Sequence, residues 1–208
     1  LLVDPGGVFI LGDHRRTIER LVHLGVPREL AEGYFKRPDY AEYARGHRST
    51  AAYLGVLRAE WGGFCPADEQ LIAAHGEHMY AVDVEVLRLL GRVRVPVLLA
   101  TATNPIEWAR MECLLGLGSA WLTTHRVWRS DHVGYLKGDT GAFRYTVTHW
   151  LPAVGWTVEA EGVAFTDDVQ RNIEQAVNDG LRPTRCHRYQ AGEIWGLENW
   201  LRNLDLVE

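Results

Sequence analysis

Three apolar runs in this 208-residue chain end in groups that can do chemistry. Leu1-Leu2-Val3 ends at Asp4, Val93–Ala100 ends at Thr101 with Thr103 and Asn104 behind it, and Gly162–Thr166 ends at Asp167-Asp168. One cation, Lys137, stands in the glycine-bearing loop Val133-Gly134-Tyr135-Leu136-Lys137-Gly138. Carboxylates brought together repel unless a divalent cation or a lysine compensates them. Oxygen-only ligands favour Mg²⁺, which keeps several waters and takes one or two carboxylates plus a substrate phosphate. A strand-end Asp can also act as a nucleophile and form an aspartyl-phosphate. The set points to metal-assisted phosphoryl transfer.

These groups meet only if their strands lie side by side. In an open parallel sheet, ligands sit at the carboxyl ends of the strands. After Gly91 the chain alternates strand and helix, the pattern of a parallel sheet with right-handed crossovers. Val93–Ala100, Val127-Trp128, Gly162–Thr166 and a short stretch at 120–124 read as strands. Ile106–Leu115, Thr140–Trp150, Asn172–Asn178 and Trp195–Leu204 read as helices. Residues 15–91 read as helices throughout. Ile18, Leu21, Val22 and Leu24 repeat at helical spacing before Gly25, Ser49-Thr50 caps a helix carrying Tyr53, Leu54, Leu57 and Trp61, and Pro66–Tyr80 and Val82–Leu90 follow. The predicted fold is α/β, a Rossmann-like parallel sheet with helices on both faces. Its core spans 1–14 and 92–208, and an inserted α-helical cap spans 15–91.

Composition sets the outer bounds. Hydrophobic residues make up 47% and charged residues 24%, as in an ordinary globular protein. A net charge of −5 supplies no phosphate-binding footprint, so nucleic acid is not an expected partner. No apolar run reaches the length of a membrane span, and Asp4 follows too soon for a signal peptide. Cys65, Cys113 and Cys186 are widely spaced and odd in number, which fits a reducing cytoplasm better than a disulfide framework.

The four motifs, in order, resemble those of the haloacid dehalogenase-like (HAD) hydrolase superfamily. Leu1-Leu2-Val3-Asp4-Pro5-Gly6-Gly7-Val8 is similar to its strand followed by Asp-x-Asp-Gly-Val. Leu98-Leu99-Ala100-Thr101 is similar to the strand ending in Thr or Ser. Ser130-x-x-x-Gly134 leading to Lys137 is similar to the lysine loop, and Phe165-Thr166-Asp167-Asp168 with Asn172 and Ala176 to the acidic fourth motif. The likeness is greatest to the branch containing the soluble epoxide hydrolase phosphatase domain and bacterial sugar-1-phosphate phosphatases, whose cap turn Ala44–Thr50 also resembles. The resemblance implies that Asp4 attacks phosphorus, Thr101 binds the transferring phosphoryl group, and Lys137 neutralises charge and orients Asp4. Gly6, Thr101, Ala102 and Lys137 would line the phosphate. Asp4, the Gly6 carbonyl and Asp168 would hold Mg²⁺, with Asp167 as co-ligand or behind it. The expected partner is a small phosphorylated metabolite.

The chain also departs from that pattern. Gly6 replaces the second Asp, the usual general acid and base, Pro5 removes a backbone N–H, Ala102 stands where the branch often has Asn, and Gly138 stands where Pro usually follows the lysine. Without an acid at Gly6, good leaving groups such as anomeric or acyl phosphates are favoured. Two other functions stay open: a non-catalytic binding or scaffold protein on the same fold, and a metal-free 2-haloacid dehalogenase, against which Asp167-Asp168 counts. Plainer roles are open too. Thr101 can merely cap the next helix, and Asp167-Asp168 can cap the helix carrying Asn172. His75-x-x-His78 reads as part of a cap surface rather than a metal pair, and Cys113 and Cys186 as buried small hydrophobes.

Overall fold

The computed structural model describes residues 1–116 and 127–208, so the short strand expected at 120–124 lies outside the described residues. Its frame is a five-stranded sheet in the order β5-β4-β1-β6-β7, with every pairing parallel. The central strand β1 (Leu2–Val3) lies between β4 (Leu98–Thr101) and β6 (Phe165–Asp167). The flanks are β5 (Val127–Arg129) and β7 (Cys186–Arg188). The inner strands are buried on both faces, which is why they read as continuous apolar runs rather than alternating ones. Successive side chains still go to opposite faces. Val3 and Leu99 enter one core cluster with Met111, Leu197 and Leu201, whereas Leu2, Leu98 and Phe165 enter a second with Trp128, Phe143 and Ile173.

Register fixes where the polar ends emerge. Leu2 pairs with both Leu98 and Phe165, and Val3 with Leu99 and Thr166, so Asp4, Thr101 and Asp167 leave neighbouring strands at one edge. The apolar run from Val93 yields ladder pairing only from Leu98. Pro96 has no N–H to donate, and its carbonyl accepts from the amino group of Leu1 at 2.9 Å.

A second, two-stranded antiparallel sheet joins β2 (Ile10–Gly12) to β3 (Met79–Val82), with Ile10 opposite Val82. Here the expected helix over Pro66–Tyr80 stops short. It runs only as α5 (Asp68–Gly76), and the chain then turns extended to pair with β2. Cross-strand pairing with Ile10 and Leu11 overrides local helical propensity, as tertiary context commonly does for a half-buried strand.

Between the two small strands, α1 (His14–His23), α2 (Arg28–Gly33), α3 (Pro38–Ala44), α4 (Thr50–Trp61) and α5 surround their own cluster of Leu21, Tyr34, Tyr43, Tyr53, Leu57, Trp61 and Leu71. The next helix, α6 (Val84–Leu90), sends Val86, Leu89 and Leu90 into the sheet's cluster instead. Beyond β4, α7 (Pro105–Leu115) starts at Asn104, whose Oδ1 accepts from the Ile106 and Glu107 N–H groups at 3.1 Å each. Asn104 is thus the cap, and Thr101 is left free of that duty. Contrary to the sequence reading, Cys113 is exposed and Cys186 only half-buried. No helix among the described residues is long and apolar enough to cross a membrane.

Candidate active site

Asp4 leaves the end of β1 with its N–H donating to the Thr166 carbonyl at 3.0 Å, which anchors it to β6. The following loop closes tightly. The Pro5 carbonyl accepts from the Phe9 and Ile10 N–H groups at 3.0 and 2.7 Å, and the Gly7 N–H donates to the Ile10 carbonyl at 2.9 Å. Gly6 donates its N–H back to Asp4 Oδ1 at 3.3 Å. Gly7 has φ 70°, and Asp168 fills the space a Cβ would take, so a side chain enters there only by displacing Asp168.

Lys137 is almost wholly buried, with Nζ 2.7 Å from Asp4 Oδ2, 2.7 Å from Asp167 Oδ2 and 3.1 Å from the Ala100 carbonyl. The lysine thus ties together three adjacent strand ends, β1, β4 and β6. Burial alone lowers its pKa, but the two carboxylates outweigh burial and hold the ammonium above its ordinary value. The Asp4 carboxyl is driven well above the usual range by burial and by Asp167 and Asp168, with Lys137 pulling the other way. Asp168 is also raised, by burial first and then by Asp167. Asp167 is already well partnered. Oδ1 accepts from Val169 N–H at 2.8 Å, and the Asn172 amide donates to both carboxylate oxygens at 3.1 and 3.0 Å. Capping and site-building therefore coincide at Asp167.

A carboxylate oxygen from each of Asp4, Asp167 and Asp168 lies within 4.8 Å of the others. One ammonium offsets one of three carboxylates, and the remaining hard oxygen donors suit a small divalent cation. Asp4, Gly6, Thr101, Ala102, Lys137 and Asp168 line one pocket of about 370 Å³. The structure thus brings these sequence-predicted site residues together, while Asp167 stands behind, on Lys137.

The loop carrying Lys137 is held by the expected Ser–Gly turn and by the helical insertion. Gly134, with φ 83°, closes the turn through its N–H to the Ser130 carbonyl at 2.9 Å. Ser130 Oγ accepts from Thr103 N–H at 2.8 Å and lies 2.6 Å from the Ala44 carbonyl. Gly46 packs so closely that a Cβ would fall 2.0 Å from the Asp131 carbonyl oxygen. Arg45 grips Asp139 through two hydrogen bonds of 2.9 and 2.7 Å. The 44–47 turn is therefore docked directly on the lysine loop.

The far wall of the pocket was not foreseen. His14, Tyr40, His78 and Glu107 line it. His75 and His78 are buried rather than on a surface. His75 Nδ1 lies 2.6 Å from Tyr34 Oη and its Nε2 3.1 Å from Glu107 Oε1, and Tyr40 donates to the same oxygen at 2.7 Å. Burial pushes the Glu107 carboxyl up, but the hydrogen bonds and charge of its histidine neighbours, with Tyr40, bring it down to about 2. The paired histidines and the first-turn acid of α7 were visible in the sequence, but their convergence depends on how α5 meets α7.

No family model matches the chain. The curated protein drimenol cyclase drtB of Aspergillus calidoustus is 24% identical over 205 residues, covering 90% of this chain and 34% of its own length. The chain therefore spans about a third of the curated relative it matches. Among solved structures, the HAD family enzyme bt-2542 from Bacteroides thetaiotaomicron, in complex with magnesium and inorganic phosphate, superposes with a TM-score of 0.77. It is 22% identical, and the match covers 93% of this chain and 95% of that one. A predicted HAD-like family hydrolase from Porphyromonas gingivalis gives a TM-score of 0.79 at 20% identity, with coverage of 98% and 96%. At such identities the likeness is one of fold.

Proposed function

We propose that this chain, which has the fold of the haloacid dehalogenase-like hydrolases, is a Mg²⁺-dependent phosphatase acting on a small phosphate ester through an aspartyl-phosphate at Asp4. One observation carries the reading: a buried lysine bridges the carboxylates of Asp4 and Asp167, and Asp168 joins them at the mouth of the same pocket. The solved neighbour bound to magnesium and inorganic phosphate supports it. Asp4, Asp168 and the Gly6 carbonyl would hold Mg²⁺, and the ion would neutralise phosphoryl charge when bound.

The chain's own residues do the rest. Lys137 keeps Asp4 aimed and supplies positive charge to the phosphoryl oxygens. Asp167, saturated by Lys137, Asn172 and Val169, holds the lysine in place. Thr101 offers its hydroxyl, and the backbone around Ala102 closes the phosphate end of the pocket. Asp4 forms a bond to phosphorus as the bond to the leaving oxygen breaks, and water then releases phosphate and regenerates Asp4. Helices α1–α5 form a cap that, through His14 and Tyr40, closes the pocket opposite Asp4 and selects the leaving group. A metal-free dehalogenase fits less well, because an anionic haloacid would meet three carboxylates offset by a single lysine. Three unpaired cysteines support a reducing, cytoplasmic setting.

A panel of phosphorylated metabolites and p-nitrophenyl phosphate, assayed with Mg²⁺ and with EDTA, tests the reading. Turnover that appears with Mg²⁺ and vanishes with EDTA is expected. Silence on every ester in Mg²⁺ favours a non-catalytic binding protein.

A further inference from the structure

Gly6 places no side chain in the pocket, so the Asp4 loop offers no acid to a leaving oxygen. Apart from Asp4, Lys137 and Asp168, the titratable groups on the pocket wall among the described residues are His14, Tyr40, His78 and Glu107. Glu107, with its pKa near 2, has no proton to give in the neutral range. Tyr40 already donates its hydroxyl proton to Glu107 Oε1, and burial pushes its pKa further up. The His14 ring is stacked on Phe35, with centroids 4.2 Å apart.

His78 is held differently. Its Nδ1 lies 2.6 Å from the His75 carbonyl oxygen. A carbonyl only accepts, so Nδ1 carries the proton and donates, and the titrating nitrogen is Nε2. That nitrogen is 3.8 Å from Glu107 Oε1, close enough for the carboxylate to favour the imidazolium. A backbone carbonyl on one side and a carboxylate on the other orient the ring in a chosen tautomer, as in other histidine acid–base sites. The turn bearing His78 is itself pinned to the start of α1, since Asp13 donates its N–H to the His78 carbonyl at 2.8 Å.

We propose that His78 Nε2 is the proton donor and acceptor of this site, taking the role that Gly6 vacates. The proposal rests on the phosphatase reading above. In the first step the Asp4 carboxylate bonds to phosphorus, the bond from phosphorus to the ester oxygen breaks, and that oxygen takes the proton from Nε2. In the second, a water oxygen bonds to phosphorus, its proton passes to Nε2, and the bond from phosphorus to Asp4 breaks. Phosphate leaves, and Asp4 and the imidazolium are restored.

The groups facing His78 set its pH range. Glu107 on α7 favours its charged form, while His75 on α5 and His14 on α1 oppose it. Burial, the largest influence, brings the pKa below the ordinary imidazole value. Hydrolysis of poor leaving groups should therefore decline as pH rises through the low end of the histidine range.

The test compares wild type with His78→Gln on an alkyl phosphate and on p-nitrophenyl phosphate in Mg²⁺. The nitrophenolate leaves without a proton, so kcat/KM, which reads the first step alone, should fall far less on this ester, while the second step slows for both. The alkyl ester should lose ~10²-fold or more in kcat/KM, together with the pH dependence. Equal losses in kcat/KM on both esters, or no loss on the alkyl ester, overturn the proposal while leaving the phosphatase reading intact. A wild type silent on both overturns the reading and the proposal with it. If His78→Gln does not fold, ¹⁵N NMR of the wild-type imidazole decides. An Nδ1–H tautomer with a titrating Nε2 supports the proposal, and an Nε2–H tautomer overturns it.

Discussion

A Cβ added to Gly7 would fall 2.0 Å from Asp168 Oδ2. The loop after β1 and the end of β6 thus touch with no room for a methyl group, and this contact sets how near Asp168 comes to Asp4. Gly7 also has φ 70°, a conformation that costs an L-residue roughly 1–2 kcal/mol. Gly7→Ala should therefore fold, lower the melting temperature and push Asp168 away from Asp4. Calorimetric titration with Mg²⁺ should show weakened binding, and unchanged affinity would mean that the ion does not depend on this contact.

Asp4→Asn should remove turnover while leaving the fold in place. The amide is nearly isosteric with the carboxylate but is a poor nucleophile, and Lys137 keeps its contacts with Asp167 and the Ala100 carbonyl. Intact-protein mass spectrometry of quenched reactions gives a direct readout. Wild type should show a phosphorylated species that the variant lacks. Full activity in clean Asp4→Asn would remove the covalent route.

Mg²⁺ should raise the melting temperature, because an ion that binds only the folded chain stabilises it by mass action, about 2.7 kcal/mol at a hundredfold excess over Kd. Relief of repulsion among Asp4, Asp167 and Asp168 is the physical source. Asp168→Ala should abolish the rise. A scan with and without Mg²⁺ on both proteins makes the comparison, and an equal rise in each would place the ion elsewhere.

Asp4, Thr101, Asp167 and Asp168 were legible from the sequence because a parallel sheet brings the carboxyl ends of its strands to one edge, and each apolar run visibly ended in a polar group; Lys137 stood out as the one cation in a glycine-bearing loop. The division of labour at Asp167-Asp168 was less legible, since only packing shows that Asn172 and Lys137 claim Asp167. Tyr40, His78 and Glu107 were not legible as a group. They come from α3, the turn after α5, and α7, and their meeting depends on β3 pairing with β2, where a helix was expected. The exposure of Cys113 was missed for a similar reason: which face of α7 meets the sheet is a property of the packing.

Glu107 gives a pH-dependent contribution to stability whose sign follows from its pKa. The folded value of about 2 lies below the ordinary glutamate value of 4.5, so the contribution is fully present above pH 4.5 and fades as pH falls toward 2. A shift of this size corresponds to roughly 3 kcal/mol at neutral pH. Glu107→Gln should lose up to that amount at pH 7, and its deficit against wild type should shrink steadily from pH 4.5 downward. Urea melts at several pH values test this, and a deficit independent of pH would assign the loss to packing around Tyr40 and His75 rather than to charge.

The last prediction concerns the space at Gly6. A Cβ there would meet nothing nearer than Asp4 Oδ1 at 3.9 Å, and Gly6, unlike Gly7, is not among the residues with positive φ. A side chain at this position is sterically allowed, so glycine is not required by the backbone. Gly6→Asp should fold and place a second carboxyl group beside Asp4. If His78 already supplies the proton, the single variant should gain little on alkyl phosphates. In a His78→Gln background the same change should recover much of a ~10²-fold loss, because the two groups would serve one step. The measurement is kcat/KM against leaving-group pKa for wild type, each single variant and the double variant. A dependence that steepens in His78→Gln and flattens again in the double variant shows that the two positions share the role. Independent, additive effects would show that Gly6 and His78 act on different steps, since groups that work as a unit are non-additive.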